Sequence, residues 1–237
     1  MLYTEESVRA NIRNREGKRV FYLGKGDSLT SGARDWLRRE RIEILSAESA
    51  KPDRYRLSNG AYLEEKPEHM THLNAEVLVP KTHPRIAFRG AVDTLEAELI
   101  LAQIAAPRSV QKLEEILSLA RRILRCDVLE EPLEEAALCG LTESEQRRRS
   151  HFPQEYYSVA HFMPSAADGE AMARLNRARC AAREAELWAC EAFSDREGNP
   201  TRPDILRSLN RMSSMLYILM IQEKGKHREG TVWNSTH

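Results

Sequence analysis

Three charged side chains in the C-terminal half of the chain recur at helical spacing. Arg179, Arg183 and Glu186 are spaced i, i+4 and i+7, so they share one face of a helix. This face lies beside a stripe of alanines, which suggests partial burial, and a buried cation needs an anionic partner. The spacing alone favours the simpler alternative, a solvated arginine face with ion pairs inside the helix.

Two other segments supply polar side chains to predicted helices. Asp93 lies near the start of an apolar helix, where it is either a surface acid favoured by the helix dipole or the partner of a buried arginine. Asn210 lies on the apolar side of a helix that contains Ile205 and Leu219, so its amide needs a hydrogen-bonding partner. A satisfied core asparagine explains this second feature equally well.

The elements that must position these residues are mainly helical. From about residue 85, apolar residues recur at steps of three and four, and Pro203 occupies a position that suits a first helical turn. We therefore predict a mainly α fold, with a bundle of about five helices at 66–225 and a flexible tail at 226–237. Segment 140–168, with its glycine and prolines, reads as a long functional loop.

Residues 1–65 have a mixed pattern that predicts a small α+β module. Segments 20–23 and 42–45 read as strands, and Thr30 is placed to cap a helix between them. The sequence Ser58-Asn59-Gly60 between two short apolar segments indicates a β-hairpin. No chemistry is evident in this module.

Composition restricts the classes of partner. The 237 residues have a formal net charge of zero, 41% hydrophobic and 30% charged residues, which is typical of a globular protein. No apolar run approaches the roughly 20 residues needed to cross a bilayer, and no secretory signal is evident, so we expect a cytoplasmic protein without a membrane partner. The basic run 147–149 and the arginines at 174–183 allow a non-catalytic nucleic-acid-binding protein, but interleaved acids and zero net charge weaken this alternative.

Several motifs, in order, resemble those of the ATP:cob(I)alamin (corrinoid) adenosyltransferases. The resemblance is to the ethanolamine-utilisation type, which is related to the propanediol-utilisation type. It covers about two thirds of the chain with four or more ordered motifs, although each alone is weak. The matching segments are Lys66 to Leu73, Lys81 with Phe88-Arg89-Gly90-x2-Asp93, Asp127 to Pro132, Arg179-x3-Arg183-x2-Glu186, Arg202 to Leu206, and Leu209-Asn210-Arg211-x-Ser213.

This resemblance implies a reaction and an assembly. Enzymes of the family transfer the 5′-deoxyadenosyl group of ATP to cob(I)alamin, release triphosphate and form adenosylcobalamin. The ethanolamine type implies supply of the cofactor to ethanolamine ammonia-lyase. The family bundle implies a homo-oligomer, with a trimer favoured and a dimer possible, and with ATP and corrinoid bound near subunit contacts. Mg²⁺ would arrive with ATP, and the protein would be cytoplasmic or enclosed in a bacterial microcompartment. In that setting residues 1–65 could dock onto a partner enzyme or the microcompartment shell.

The resemblance also assigns roles to individual residues. Lys81 and Arg183 would contact the triphosphate, where positioned cations stabilise the charge that develops on the leaving group. Arg179 and Asp93 would form an ion pair between subunits, completing the catalytic set. Nucleotide binding would be shared by Thr71, Lys81, Arg183, Glu186 and Asn210.

Three departures from the family pattern affect the expected contacts. The loop before Thr71 reads Pro67-Glu68-His69-Met70 where the family usually has glycines, so backbone contacts to phosphate are uncertain. At the position of the family's lower-face phenylalanine stands His161, followed by Phe162, and either could block the lower axial position. Phe162 is the more natural hydrophobic wedge, whereas His161 could instead meet a corrin amide. No cysteine precedes Cys126, so the thiolate zinc site of some relatives cannot form, although the histidines at 69, 72 and 83 could in principle bind a metal.

A second alternative keeps the fold and changes the role. The same residues would suit an adenosylcobalamin carrier or chaperone that delivers the cofactor to a lyase. Sequence does not separate this role from catalysis, because both require the same nucleotide and corrinoid contacts.

Overall fold

The computed structural model describes residues 1–15, 18–46 and 55–233, which cluster into two compact units. The first unit comprises Met1–Glu68 and Glu76–Leu78. The second comprises His69–Ala75 and the chain from Val79 onward. No helix in the described part of the chain combines the length and the apolar composition needed to cross a bilayer.

The first unit is a small α+β module, as predicted. Its elements before residue 47 are β1 (Leu2–Tyr3), α1 (Glu5–Ala10), β2 (Arg13–Arg15), β3 (Lys18–Leu23), β4 (Ser28–Leu29), α2 (Ser31–Arg39) and β5 (Glu43–Ser46). Strand β3 pairs antiparallel with β2 and parallel with β5, and β1 pairs parallel with β4. Thr30 caps α2 by accepting a hydrogen bond from the Ala33 N–H. Phe21, Trp36 and Leu37 belong to the core of this unit.

The predicted hairpin is also present. Strands β6 (Tyr55–Leu57) and β7 (Tyr62–Leu63) pair antiparallel, with Tyr55 opposite Leu63. Gly60 has a φ of +85°, a conformation that glycine adopts without the steric cost of a side chain. The next two strands are β8 (Met70–His72) and β9 (Val77–Pro80), and Val77 and Leu78 of β9 pair parallel with β6.

The second unit is the predicted bundle. Its helices are α3 (Pro84–Ala105), α4 (Val110–Leu129), α5 (Glu143–His151), α6 (Pro153–Tyr157), α7 (Gly169–Ala192) and α8 (Pro203–Trp233). Helix α3 packs against α4 and α7, while α8 packs against α7 and α5, which gives five principal helices. The alanines at 178, 182, 185 and 189 are fully buried, and their small side chains let α7 approach its neighbours closely.

Contacts along the bundle establish how the helices run past each other. Arg177 of α7 pairs with Glu98 of α3 at 3.1 Å, and the rings of Phe88 and Phe193 lie edge to face 5.2 Å apart. Residue numbers therefore rise along α7 as they fall along α3, so the two helices are antiparallel. Helices α7 and α8 are joined by a short connection and are also antiparallel.

The prediction of a long loop at 140–168 was wrong. Helices α5 and α6 lie within this segment. Thr142 accepts a hydrogen bond from the Glu145 N–H while the Glu145 carboxylate accepts one from the Thr142 N–H, so a capping box starts α5. The Thr-x-x-Glu spacing was legible in the sequence, but the short, polar α5 lacks an apolar face that would have marked it as a helix.

The C-terminal region was expected to be a flexible tail from residue 226. Helix α8 continues into this segment as far as Trp233. The remaining residues of the expected tail, 234–237, lie outside the described residues.

Candidate active site

The centre of the candidate site is a hydrogen bond between α7 and α8. The Nδ2 amide of Asn210 donates to Oε1 of Glu186 at 2.9 Å. On the other side, the Nη2 group of Arg211 donates to Oδ1 of Asn210. The sequence required a partner for the Asn210 amide, and the structure supplies two.

Arg179 and Arg183 lie on the same face of α7 as Glu186. Arg179 is half-buried and donates from Nε and Nη2 to the amide oxygen of Asn176, at 3.3 and 3.1 Å. Arg183 is exposed and forms no ion pair or hydrogen bond with any described residue of its own chain. The alternative of intrahelical ion pairs therefore does not hold for this face, because no described carboxylate pairs with either arginine. Two positive charges remain available to an anionic ligand.

The segment before α3 carries Thr71 and Lys81. The Lys81 N–H donates to the carbonyl oxygen of His69 at 2.9 Å, which brings the two ends of this segment together. Thr71 is half-buried in β8, and the Lys81 side chain is exposed. Both residues therefore belong to the second unit, in two stretches of chain that this hydrogen bond joins.

Lys81 and Arg183 do not meet within one chain. Lys81 precedes α3, whereas the contacts between α3 and α7 place Arg183 level with the middle of α3. At 1.5 Å rise per residue, the two positions are separated by about 15–25 Å along the bundle. The predicted pair of Asp93 and Arg179 does not form within one chain either, since exposed Asp93 makes no ion pair with any described residue.

A buried aspartate anchors the segment that carries Thr71. Asp127, at the end of α4, is fully buried and accepts hydrogen bonds from Nε of Arg85 at 2.8 Å and from Nε of Arg89 at 2.6 Å. The Nη2 group of Arg89 donates to the carbonyl oxygen of Leu73 at 2.7 Å. The carboxylate thus holds the first turns of α3 to α4, and through Arg89 it holds the loop just after Thr71.

His83 has a structural role at the start of α3. Its Nδ1 accepts a hydrogen bond from the Arg85 N–H at 3.1 Å, so the ring caps the helix. Burial lowers the pKa of His83, and the charges of Arg85 and Arg89 lower it further. The described residues contain no group of three or more His, Cys, Asp or Glu side chains placed to hold a metal ion.

Both candidate corrinoid residues contact Tyr217 of α8. The rings of His161 and Tyr217 stack 5.8 Å apart, and the rings of Phe162 and Tyr217 lie 6.3 Å apart. His161 is exposed, whereas Phe162 is half-buried against the bundle core. Lys224 lies 5.4 Å from the Phe162 ring and pairs with Asp168.

Hydrogen bonds engage both ring nitrogens of His161. Nδ1 lies 2.8 Å from the Tyr217 hydroxyl, and Nε2 lies 3.2 Å from the carbonyl oxygen of His151. A carbonyl only accepts, so the network assigns the ring proton to Nε2 and has the hydroxyl donate to Nδ1. Burial raises the pKa of Tyr217, which keeps the hydroxyl protonated, and the amide of Phe162 and the charge of Arg179 oppose that shift.

These contacts place the candidate residues along one seam. The charge of Arg179 on α7 acts on Tyr217 of α8. Seven residues further along α7, Glu186 contacts Asn210, which lies seven residues earlier in α8, as antiparallel helices require. Seven residues correspond to about 10 Å along a helix axis. One end of the seam therefore carries Glu186 and Asn210, two of the predicted nucleotide residues. The other end carries the predicted corrinoid residues, and Arg183 lies between the two ends.

Sequence reasoning missed four residues that organise this region. Tyr217 and Arg211 lie on the predicted helix α8, but their partners His161 and Glu143 come from distant segments that the helical period does not identify. Asp127 began a recognised motif without an assigned role, and Lys224 had no sequence signal at all. A groove of about 620 Å³ near Arg85 and Arg202 was also not foreseen, and its arginines are already paired with acids, including Glu130 and Asp204.

Comparisons with known proteins identify the family to which the chain belongs. A family described as cobalamin adenosyltransferase matches residues 61–223. The chain is 34% identical to the corrinoid adenosyltransferase EutT of Salmonella typhimurium over an alignment 248 positions long, which covers 94% of this chain and 92% of that protein. It is 40% identical to the corrinoid adenosyltransferase EutT of Escherichia coli strain K12 over 157 residues, which cover 66% of this chain and 59% of that protein.

Proposed function

Because the chain belongs to the cobalamin adenosyltransferase family, we propose that it transfers the 5′-deoxyadenosyl group of ATP to cob(I)alamin and forms adenosylcobalamin. In this reaction the electron pair of cobalt(I) forms the bond to the 5′ carbon of the ribose. The bond from that carbon to oxygen breaks, and triphosphate leaves with the bonding pair. The protein must therefore hold a polyanion and bring the 5′ carbon to cobalt.

The nucleotide half of this task belongs to the α7–α8 seam. Glu186 and Asn210 would hydrogen-bond the nucleoside or, through the Glu186 carboxylate, its metal. Arg183 has no carboxylate partner among the described residues, so its guanidinium is available to the triphosphate, whose oxygens match its planar donors. A cation fixed at the leaving group stabilises developing charge without reorganisation during the reaction.

The remaining phosphate contacts require a second copy of the chain. Lys81 and Thr71 belong to a segment about 15–25 Å from Arg183 along the same bundle, by the rise of a helix. We place them against Arg183 of a neighbouring subunit, where Asp93 and Arg179 would form their ion pair across the same contact. A homotrimer is favoured, and a dimer would serve equally if its contact joined these faces.

The corrinoid half belongs to His161, Phe162 and Tyr217. The lone pair of His161 Nδ1 accepts from Tyr217 and Nε2 carries the proton, so His161 presents its ring without a lone pair for cobalt. This suits a site that must keep the lower axial position of cob(II)alamin empty before reduction. We assign His161 to the corrin face and Phe162 to the support behind it, because His161 is the more exposed of the two.

Several further features of the setting are proposed on the family relationship. Mg²⁺ would accompany ATP and share the charge of the triphosphate. The product would serve a cobalamin-dependent lyase, ethanolamine ammonia-lyase by the resemblance, in the cytoplasm or inside a bacterial microcompartment. No nucleic-acid partner is proposed, since the arginines of α7 at 174 and 177 pair with Glu170 and Glu98.

The observation that carries this proposal is the uncompensated Arg183 beside the Glu186–Asn210 hydrogen bond. The test is anaerobic incubation of the protein with ATP, magnesium and chemically reduced cobalamin, followed by the absorbance change when the cobalt–carbon bond forms. We expect many equivalents of adenosylcobalamin per site. A single equivalent per site would support the carrier, and no product would refute adenosyl transfer.

A further inference from the structure

A small cavity with both polar and apolar lining lies on the side of α8 that faces α5. Its volume is about 40 Å³. Helices α4, α5 and α8 and the segment before α5 enclose it, and its lining includes Glu143, Gln146, Arg207 and Arg211. The cavity is therefore on a different face of α8 from the Asn210–Glu186 contact, although Arg211 follows Asn210 directly.

Three buried polar atoms at this cavity have no partner among the described residues. They are Nε and Nη1 of Arg211 and Oε1 of Gln146. Gln146 is only 2% exposed, and its Nε2 amide is already used in a 2.9 Å bond to the Leu141 carbonyl. The Glu143 carboxylate lies 3.8 Å from Nε of Arg211, which is close enough for attraction but too long for a hydrogen bond.

The chemistry of these atoms selects the occupant of the cavity. Arg211 offers only donors, whereas Gln146 Oε1 and Glu143 offer only acceptors. An inorganic anion would satisfy Arg211 and would leave Gln146 Oε1 unpaired, whereas water both accepts and donates. A buried water needs roughly 10–15 Å³ of such volume, so the cavity has room for one to about three.

The third nitrogen of Arg211 points to the candidate active site. Its Nη2 group donates to Oδ1 of Asn210, whose Nδ2 donates to Glu186. Because guanidinium only donates and carboxylate only accepts, these two neighbours together determine which end of the Asn210 amide faces which helix. If the amide were rotated by 180°, its NH2 group would face the Arg211 donor and its oxygen would face the Glu186 carboxylate, so neither hydrogen bond could form.

We propose that Arg211 is a positioning residue for nucleotide binding and that ordered water in this cavity holds it in place. The water bridges Nε and Nη1 of Arg211 to Gln146 and Glu143, and Arg211 then orients the Asn210 amide. Arg211 itself does not touch the nucleotide. The inference rests on the proposed function, because it takes Asn210 and Glu186 as nucleotide contacts.

The first experiment measures ATP binding by calorimetry, without corrinoid, in a double-mutant cycle of Arg211→Met and Asn210→Ala. We expect Arg211→Met to weaken ATP binding about tenfold in the wild-type background and by less than about twofold in the Asn210→Ala background, since it acts through Asn210. Cob(II)alamin affinity should stay within about twofold in Arg211→Met, because the corrinoid residues lie elsewhere on the seam.

The matched control is Arg207→Met. Arg207 lines the same cavity one turn earlier, but it is exposed, and its 3.9 Å contact is with Glu135 rather than with Asn210. We expect unchanged ATP affinity in this variant. Arg211→Lys is the second test variant, because it keeps the charge while losing the planar donors. It should unfold cooperatively, as a folded protein does, and still bind ATP several-fold more weakly than wild type.

A further pair of variants tests the water bridge. Glu143→Gln retains an oxygen acceptor at the cavity and should preserve ATP affinity, whereas Glu143→Leu removes it and should weaken ATP binding although Glu143 does not reach the nucleotide. An equal loss from Arg211→Met with and without Asn210 would overturn the positioning role. Equal affinities of the two Glu143 variants would overturn the bridge.

The same measurements separate this inference from the proposed function. If wild-type protein makes no adenosylcobalamin, the proposed function fails whatever the cycle shows. If wild-type protein turns over and Asn210→Ala binds ATP normally, then adenosyl transfer stands and the role of Arg211 is refuted.

Discussion

Asn210 donates a 2.9 Å hydrogen bond to Glu186 and so joins α8 to α7 at the centre of the proposed nucleotide site. Seven residues away in each helix, the charge of Arg179 acts on Tyr217, and the Tyr217 ring contacts both corrinoid candidates, His161 and Phe162. The antiparallel packing of two helices therefore aligns both halves of the proposed reaction within about 10 Å. The predictions below separate the residues that bind ligand from those that hold the fold.

Arg183→Ala should abolish adenosyl transfer without changing helix content. Arg183 is exposed and pairs with no described residue, so its loss should alter the free energy of unfolding by less than about 0.5 kcal/mol. Turnover and far-ultraviolet circular dichroism measure the two effects. Arg174→Ala, which breaks an exposed pair with Glu170 on the same helix, is the control and should retain activity. Full turnover by Arg183→Ala would remove this residue from the site.

Asp93→Asn should weaken assembly and cofactor binding more than folding. Asp93 is exposed and has no ion-pair partner among the described residues, so its proposed partner Arg179 must come from another subunit. Sedimentation should show a shift to smaller species at low concentration, with an unchanged unfolding midpoint at concentrations that preserve assembly. Glu191→Gln changes an exposed acid near the end of α7 and should leave assembly intact. Normal mass and cofactor affinity in Asp93→Asn would exclude the intersubunit pair.

His161→Ala and Phe162→Ala should differ in their effects on bound cob(II)alamin. We expect His161→Ala to alter the electron paramagnetic resonance spectrum of the complex, because His161 is the exposed ring. Phe162→Ala should lower the unfolding midpoint as well, because the half-buried Phe162 ring packs on Tyr217 and the core. An unchanged spectrum in His161→Ala together with an altered one in Phe162→Ala would reverse the two assignments.

Asp127→Asn should destabilise the bundle by about 3–5 kcal/mol, because it leaves two arginines without their buried carboxylate. Glu130→Gln is an internal control, since Glu130 contacts the same Arg85 at 3.1 Å from an exposed position and should change stability by less than about 1 kcal/mol. Urea unfolding gives both values. Similar losses from the two variants would show that burial of the pair is unimportant. Because Arg89 holds the Leu73 carbonyl, Asp127→Asn should also weaken ATP binding.

Asp204 should make stability depend on pH in the acid range. Burial alone would raise its pKa, but hydrogen bonds from Arg202 and from the Leu133 and Ile205 amides outweigh burial and lower the pKa to about 2. Ionised Asp204 therefore stabilises the fold above its unfolded pKa of about 3.9, and this contribution is lost as pH falls through about 2. Asp204→Asn should cost on the order of 1–2 kcal/mol at pH 7.

The measurement for Asp204 is urea unfolding of wild type and Asp204→Asn between pH 7 and pH 2. The difference between the two proteins should shrink below about pH 4. Glu134→Gln changes an exposed acid next to Leu133, whose amide donates to Asp204, and should show no such pH dependence. A constant difference across this range would mean that the Asp204 charge does not cause the stabilisation.

The sequence alone determined the class of the fold and the residue types of the site. The apolar period around Leu113 and Leu117 and the alanines of α7 predicted packed helices, and both sets are buried. The spacing of Arg179, Arg183 and Glu186 placed them on one face, because helical geometry is local and repeats every 3.6 residues. The hairpin at Gly60 was legible for the same reason, since turn conformation depends on adjacent residues.

Only the tertiary structure decided which distant residues meet. Asp127 is 38 residues from Arg89, and His161 is 56 residues from Tyr217, so no local period connects either pair. Tertiary packing also showed that Lys81 and Arg183 lie at different levels of one bundle, so the proposed phosphate site calls for a second subunit. Hydrogen bonds and ion pairs act over a few ångströms in space, and only the packed helices specify which side chains come within that range.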